Sequence, residues 1–223
     1  MVITATEAIT SRRSIRAFTS EEVSTELIKT ILADAARAPS GTNIQPWNIT
    51  VLQGEARKDL IDAAQAAFDS GDRSPDADRY YPTEFVEPYR ARRRKIGWDM
   101  YGLLGIEKGQ HDKMAAQHRK NFEFFGAPVG MFFTLHETMQ AGGWMDLGLY
   151  MANVMALARE HGLHTCPQAA WQDYAHVVHA HLGLPEDHVV VVGLALGYED
   201  TEHAVNALRT ERAPLDEFVE FRT

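Results

Sequence analysis

The apolar positions in the first third of the chain change period twice. After Ser24 they recur at helical spacing up to Ala36, which predicts a helix that Ser24 caps and that ends before Pro39. Residues 47–52 alternate between apolar and polar, as expected of a strand, and residues 55–68 return to a helical period. These segments predict a helix, a strand and a second helix.

The second half of the chain carries the more apolar segments. Residues 129–135 predict a strand, residues 144–161 a long helix that is apolar on most sides, and residues 174–182 a short helix. The run VVVVGLAL at 189–196 is typical of a strand buried on both faces. Helices alternating with a few well-spaced strands favour an α+β or α/β layered fold around a mostly buried sheet.

The pattern is interrupted between residues 69 and 111. Charged residues, prolines and aromatics replace the apolar periods there, and a basic run occupies residues 90–95. We interpret this segment as a lid-like excursion from a single domain that spans residues 1–223, because 223 residues suit one domain better than two.

Composition excludes several classes of protein. Hydrophobic residues make up 45% of the chain and charged residues 24%, which is ordinary for a globular domain. A net charge of −9 argues against nucleic acid or an anionic membrane as the main partner. We find no signal peptide or membrane-spanning run, and with one cysteine the chain is expected in the cytoplasm.

Two short polar segments carry candidate chemistry. SRRSIR at 11–16 combines arginines and serines that suit a phosphate, although a solvated basic stretch explains them about equally well. PSGTNIQPW at 39–47 holds two carboxamides that suit a ring edge of alternating donors and acceptors, or that satisfy their own turn. Together, phosphate-binding cations and ring-edge amides describe a site for flavin mononucleotide (FMN).

Five motifs then occur in the order of a known family. SRRSIRAF, APSGTNIQPW, LHTCPQAAW, VVGLALGYED and RTERAPLDEFVEF resemble the nitroreductase superfamily of FMN-dependent oxidoreductases. NFEFFGAP and GLHTCPQAAW are most similar to its nitrobenzoate and dinitroaniline reductase branch. The resemblance implies an α+β, three-layer fold with a mixed, mostly antiparallel central sheet flanked by helices. It also implies an intertwined homodimer with FMN at the subunit interface.

The resemblance also implies which residues bind the cofactor. The basic motif contributes to the phosphate and ribityl chain, with one arginine near N1 and O2 of the flavin. The amide loop reaches the flavin of the other subunit, and the segment after LHTC lies beneath the ring with a backbone N–H facing N5. The expected cofactor residues are Arg12, Arg13, Ser14, Arg16, Pro39, Ser40, Asn43, Gln45, Asn121, Pro167, Gln168, Ala169, Ala170, Arg209 and Arg212. Thr210 stands where many relatives have a lysine.

The implied activity is hydride transfer from NADPH or NADH, through flavin N5, to a nitroaromatic or quinone by a ping-pong mechanism. The nitro group would become nitroso and then hydroxylamino, with no protein side chain as general acid and no metal. Aromatic residues that either contact substrate or only pack the lid and core are Tyr80, Tyr81, Trp98, Tyr101, Phe124 and Trp144. Reductive dehalogenation, quinone reduction and flavin binding without turnover are the alternative functions.

Overall fold

A computed structural model describes residues 3–75 and 80–223. Seven α-helices and four strands lie in these ranges. In chain order they are α1 (Ala5–Ser11), α2 (Thr25–Ala35), β1 (Asn48–Leu52), α3 (Gly54–Ser70), α4 (Tyr89–Leu103), α5 (His111–Arg119), β2 (Val129–His136), α6 (Ala141–Glu160), β3 (His164–Gln168), α7 (Ala175–Leu182) and β4 (His188–Gly197).

Side-chain caps fix the starts of the first two helices. The Thr4 hydroxyl accepts from the backbone N–H of Glu7, whose carboxylate in turn accepts from Thr4, so α1 begins with a capping box. The Ser24 hydroxyl accepts from the backbone N–H of Leu27 at 3.2 Å, which confirms the predicted cap of α2.

The four strands form one sheet in the order β1-β2-β4-β3. All three strand pairings are antiparallel, and β2 and β4 occupy the middle, which explains their continuous burial. A parallel element remains in the isolated bridge between Ser14 and Thr165, where the basic motif lies along the edge of β3. The predicted α+β class is confirmed.

Helices cover both faces of this sheet. On one face, α2 and α6 pack against alternate β2 residues, among them Met131 and Phe133. On the other, α3, α7 and an aromatic cluster pack against Phe132, which points the opposite way because side chains alternate along a strand. Three layers result, as the resemblance implied.

Sequence periodicity missed β3, α4 and α5. β3 is only five residues long, and α4 has no buried residue, so neither gives a clear apolar period. Within the described ranges no helix is long and apolar enough to cross a membrane.

Helix α6 is apolar beyond the face that it buries. Leu147 and Val154 are buried against the sheet, whereas Met145 is 67% exposed and Leu149 40% exposed. Burial therefore explains only one side of this helix, and residues 3–75 and 80–223 leave the second apolar side exposed.

Candidate active site

A cavity of about 1000 Å³ opens between the 69–111 segment and the end of β3. Its walls combine residues of both predicted groups. The predicted cofactor residues that line it are Arg16, Asn121, Pro167, Gln168, Ala169 and Ala170, and the predicted substrate residues are Tyr80, Tyr81, Trp98 and Tyr101. The structure thus brings the basic motif, the PQAA segment and the aromatic wall into one space.

The floor of the cavity is the turn from β3 into the 3₁₀-helix Ala169–Tyr174. Trp171 belongs to this 3₁₀-helix and is fully buried, and its indole ring packs against Gly193 of β4, where a Cβ would collide with the ring. Glycine at this position therefore lets the tryptophan support the floor.

Gln168 has one satisfied and one unsatisfied polar atom. Its Nε2 donates to the carbonyl of Asn121 at 2.7 Å, whereas its buried Oε1 has no hydrogen-bond partner in residues 3–75 and 80–223. A buried acceptor without a partner costs free energy unless a ligand or water donates to it. Asn121 is held in turn through its own amide, which donates to the carbonyl of His118 at 2.8 Å.

The turn after Asn121 is strained. Phe124 and Phe125 adopt φ angles of 52° and 54°, a left-handed conformation that bulky residues rarely adopt. This geometry sends Phe125 to the cavity wall and Phe124 into the core, where it is 0% exposed and packs on Phe132 and Trp171. Phe124 is thus a core residue in this structure, which is the second of the two roles that the sequence left open for it.

The arginines of the basic motif have different environments. Arg13 donates two hydrogen bonds to Glu199, at 2.9 and 2.8 Å, and another to the carbonyl of Asn206. Its guanidinium is therefore already engaged within the chain. Arg16 donates to the carbonyl of Ser14 at 3.2 Å and reaches the cavity.

Arg12 is half-buried, and no acceptor in the described part of the chain contacts its guanidinium. Burial, followed by the positive charge of Arg212, lowers the pKa of Arg12 below its ordinary value. Two neighbouring arginines to which the described residues offer no counter-ion are the arrangement expected of an anion-binding site.

The C-terminal arginines are oriented by their own backbone. Arg209 donates to the carbonyl of Asn206 at 2.8 Å. Arg212 donates to the Thr210 hydroxyl at 2.8 Å, so the threonine that stands in place of a lysine positions Arg212. None of Arg12, Arg13, Ser14, Arg209 and Arg212 lines the 1000 Å³ cavity itself.

The amide loop also lies outside this cavity. Thr42, Asn43 and Gln45 all have positive φ angles, between 48° and 60°, and Asn43 and Gln45 are exposed. The loop is nevertheless fixed, since Gly41 N–H donates to the buried carboxylate of Asp146 on α6 at 3.1 Å and Gln45 N–H donates to the Ser40 hydroxyl at 3.0 Å. The exposed side chains of Asn43 and Gln45 are therefore held on a strained, fixed loop, a geometry that is common at ligand-binding sites. Trp144, near the start of α6, is 37% exposed and does not line the cavity.

The start of the excursion is tied to the cavity floor. Ser74 N–H donates to the carbonyl of Asp173 at 2.7 Å, and Arg73 forms an ion pair with the Asp173 carboxylate at 3.0 Å. The Ser74 hydroxyl also contacts Nδ1 of His176 at 2.8 Å. These contacts fix Arg73 and Ser74 relative to the floor.

Cys166 lies on β3, two residues before Gln168. Its side chain is buried, and burial raises the pKa of the thiol to about 11, against the lowering effect of Arg16 and Arg12. The thiol is therefore protonated at neutral pH and is not a nucleophile.

Comparison with known proteins identifies the family to which this fold belongs. The family model described as "Nitroreductase family" matches residues 9–198. The chain belongs to the nitroreductase family. This confirms the resemblance drawn from the five motifs.

The most similar family members include enzymes with named activities. A 4-nitrobenzoate reductase of Pseudomonas putida is 37% identical over 213 residues, covering 96% of this chain and 93% of that protein. The solved structure of the FMN and NADPH-dependent nitroreductase NfnB from Sphigopyxis sp. strain HMH is 38% identical with a TM-score of 0.95, covering 99% and 100% of the two chains. The FMN-dependent nitroreductase NfnB from Mycobacterium smegmatis, solved in complex with NADPH, is 32% identical with a TM-score of 0.94 and 98% coverage of each chain.

Sequence analysis of this nitroreductase missed several cavity residues. Gln117 and His118 lie on α5, a helix that periodicity did not predict, and Phe125 reaches the cavity only because of its left-handed backbone. Arg93 and Arg94 were seen only as part of a basic run. The motif NFEFFGAP, which contains Phe125, was the sequence signal available for this part of the cavity wall.

Proposed function

We propose that the protein is an FMN-dependent oxidoreductase that uses NADPH or NADH to reduce nitroaromatic compounds. The observation that carries the proposal is the single cavity in which Arg16, Asn121 and the 167–170 floor face an aromatic wall. The names of its full-length relatives support the same activity.

The residues fit FMN. Arg12 and exposed Arg212 offer two cations to a phosphate, and an anion between them would offset the desolvation of Arg12 and its repulsion by Arg212. The unsatisfied Oε1 of Gln168 offers an acceptor to a ring N–H or hydroxyl. We further propose that the side-chain amides of Asn43 and Gln45 contact the flavin. Arg13, by contrast, contributes mainly through its ion pair with Glu199, which holds the basic motif in place.

Bound FMN supplies reversible two-electron chemistry between a nicotinamide and a nitro group. Arg16 lines the cavity, and its positive charge would stabilise the negative charge that a bound flavin carries when it is reduced. The floor and the aromatic wall would hold a flat ligand between them. Donor and acceptor occupy the same cavity in turn, and solvent supplies the protons.

A homodimer completes the site in this proposal. The exposed apolar face of α6 and the exposed C-terminal aromatics Phe218 and Phe221 would be covered by a second copy. The strained loop at 39–45 would then reach the cavity of the partner subunit. A single domain with residues 69–111 as a lid, in the cytoplasm, completes the proposal.

The first experiment is the visible spectrum of the purified protein. We expect flavin bands that bleach on anaerobic addition of NADPH or NADH and return when 4-nitrobenzoate is added. Return of the bands with a quinone or an iodotyrosine, but not with the nitro compound, would favour the quinone reductase or dehalogenase alternative. Bleached bands that none of these acceptors restores would favour a flavin-binding role. Failure to bind FMN would refute the proposal.

Mixed dimers test the shared site. Arg16→Gln removes the cation on one side of the cavity, and Asn43→Ala with Gln45→Ala removes the amides on the other. Each variant homodimer is expected to lose most activity. A heterodimer of the two variants, isolated with two affinity tags, should have about half the activity of the unsubstituted dimer, since one of its two sites is intact. A heterodimer as inactive as the two variant homodimers would contradict a site built from both subunits.

A further inference from the structure

The four consecutive basic residues at 92–95 of helix α4 lie on two opposite faces of the helix. At about 100° per residue, Arg92 and Lys95 project to one side and Arg93 and Arg94 to the other. Arg92 forms an ion pair with Glu217 at 2.6 Å, and Lys95 forms pairs with Asp99 at 2.7 Å and Glu211 at 3.5 Å. These two cations therefore attach α4 to its own surface and to the C-terminal tail.

Arg93 and Arg94 lie on the face that lines the cavity. Neither has a carboxylate within ion-pair distance in residues 3–75 and 80–223, and the Arg93 guanidinium stacks on the Phe85 ring at 4.7 Å from its centroid. Stacking fixes the plane of this guanidinium while leaving its N–H groups available.

The charge of the cavity is opposite to that of the protein. Its described lining carries four arginines but only one carboxylate, that of Asp173, which is paired with Arg73. Burial lowers the pKa of His118, also in the wall, so this imidazole is neutral at pH 7. A positive cavity in a chain of net charge −9 attracts and concentrates anions.

We propose that Arg93 and Arg94 form a specificity site for an oxyanion carried by the ligand that occupies the cavity. The inference rests on the proposed function and deepens it: the ligands favoured are those that carry a carboxylate or phosphate group within reach of Arg93 and Arg94. Two ligands of the proposed reaction carry such an anionic group: a nitroaromatic acid, through its carboxylate, and NADPH, through its 2′-phosphate.

Pairs of ligands that differ in one anionic group separate these sources. The first pair is 4-nitrobenzoate and 4-nitrobenzamide with a fixed donor, and the second is NADPH and NADH with a fixed acceptor. The test variant is Arg93→Gln with Arg94→Gln. Its matched control is Arg92→Gln with Lys95→Gln, which removes the same charge from the opposite face of the same helix.

We expect the test variant to lose about tenfold in kcat/KM for the anionic member of at least one pair, and little for the neutral member. The ratio within each pair should stay at the parent value in the control variant. Loss confined to 4-nitrobenzoate assigns the arginines to the acceptor carboxylate, and loss confined to NADPH assigns them to the 2′-phosphate. Unchanged ratios in both pairs, or equal changes in the control, would overturn the proposal.

Equilibrium binding keeps this test independent of turnover. Calorimetric titration of the FMN-loaded protein with benzoate against benzamide, and with adenosine 2′,5′-bisphosphate against adenosine 5′-monophosphate, measures the same preference without reaction. Tighter binding of the anionic member that is lost in the test variant, and that weakens with salt, supports the site even if no nitro compound is reduced. Absence of that preference in the parent contradicts it even if the proposed reaction occurs.

Discussion

The two carboxylate oxygens of Glu199 both accept hydrogen bonds from Nη2 of Arg13, at 2.9 and 2.8 Å. The carboxylate side chain is 10% exposed and the arginine side chain 25% exposed. The pair joins the segment after α1 to the end of β4, and the same carboxylate lies 3.2 Å from Nε2 of the buried His164. This cluster holds the basic motif against the sheet.

Glu199→Gln is expected to destabilise the protein by about 3 kcal/mol, because it leaves the Arg13 charge mostly buried without a counter-ion. Urea unfolding of the variant measures the change. Glu26→Gln is the matched control, since its pair with Lys29 is exposed and should contribute less than about 1 kcal/mol. Equal losses in both variants would contradict a special role for Arg13 and Glu199.

The stability of the protein is expected to fall between pH 6.5 and pH 4. Burial, followed by the positive charges of Arg159 and Arg13, lowers the pKa of His164 to about 4. Since the unfolded chain protonates this histidine near pH 6.5 and the folded chain does not, acidification favours unfolding in that window, by about 3 kcal/mol at most. Above pH 6.5 this contribution is fully retained.

Replacing the titrating group tests this assignment. His164→Gln keeps a donor toward Glu199 but cannot take up a proton in this range. Free energies of unfolding measured from pH 4 to pH 7.5 should therefore depend less on pH in the variant than in the parent. Parallel curves would exclude His164 as the source.

Gly193→Ala is expected to destabilise the fold by about 1–3 kcal/mol and to weaken FMN binding as well. The added methyl group would collide with Trp171, whose displacement would move the cavity floor. Chemical unfolding and FMN titration measure the two effects. Gly102→Ala should have neither effect, because within the described residues the new Cβ would meet no atom within 4 Å beyond its chain neighbours and the backbone of its own helix.

Arg12→Gln should separate cofactor binding from stability. We expect the FMN-free protein to be as stable as the parent or slightly more so, because a desolvated charge near Arg212 is removed. The dissociation constant for FMN should rise about tenfold or more if the guanidinium binds the phosphate. Thermal unfolding of the FMN-free protein and fluorescence titration with FMN give the two values, and unchanged FMN affinity would remove Arg12 from the phosphate site.

The sequence predicts best where a local rule decides the structure. The Ser24 cap and the buried run of β4 follow from caps and apolar periods, and the structure confirms both. α4 was missed because contacts through charged and aromatic side chains hold it, with no buried apolar face to give a period. The two roles left open for Phe124 could not be separated from the sequence, because the direction of its side chain depends on a left-handed backbone that the letters NFEFFGAP do not reveal.

The candidate site divides in a similar way. Motifs located the floor and the basic segment, because these residues adjoin in sequence as well as in space. They did not reveal that Arg13 is paired and Arg12 is not, since Glu199 is far along the chain. Pairing across 186 residues becomes visible only when the fold is known.

The state of Cys166 bears on the chemical durability of the protein. Nitroso products capture thiolates, and the chain's one cysteine lies on the strand that forms the cavity floor. With its pKa at about 11, roughly one molecule in ten thousand carries the thiolate at pH 7, and the fold covers the sulfur. A catalyst of the proposed reaction would thus release a thiol-reactive product repeatedly without being inactivated by it.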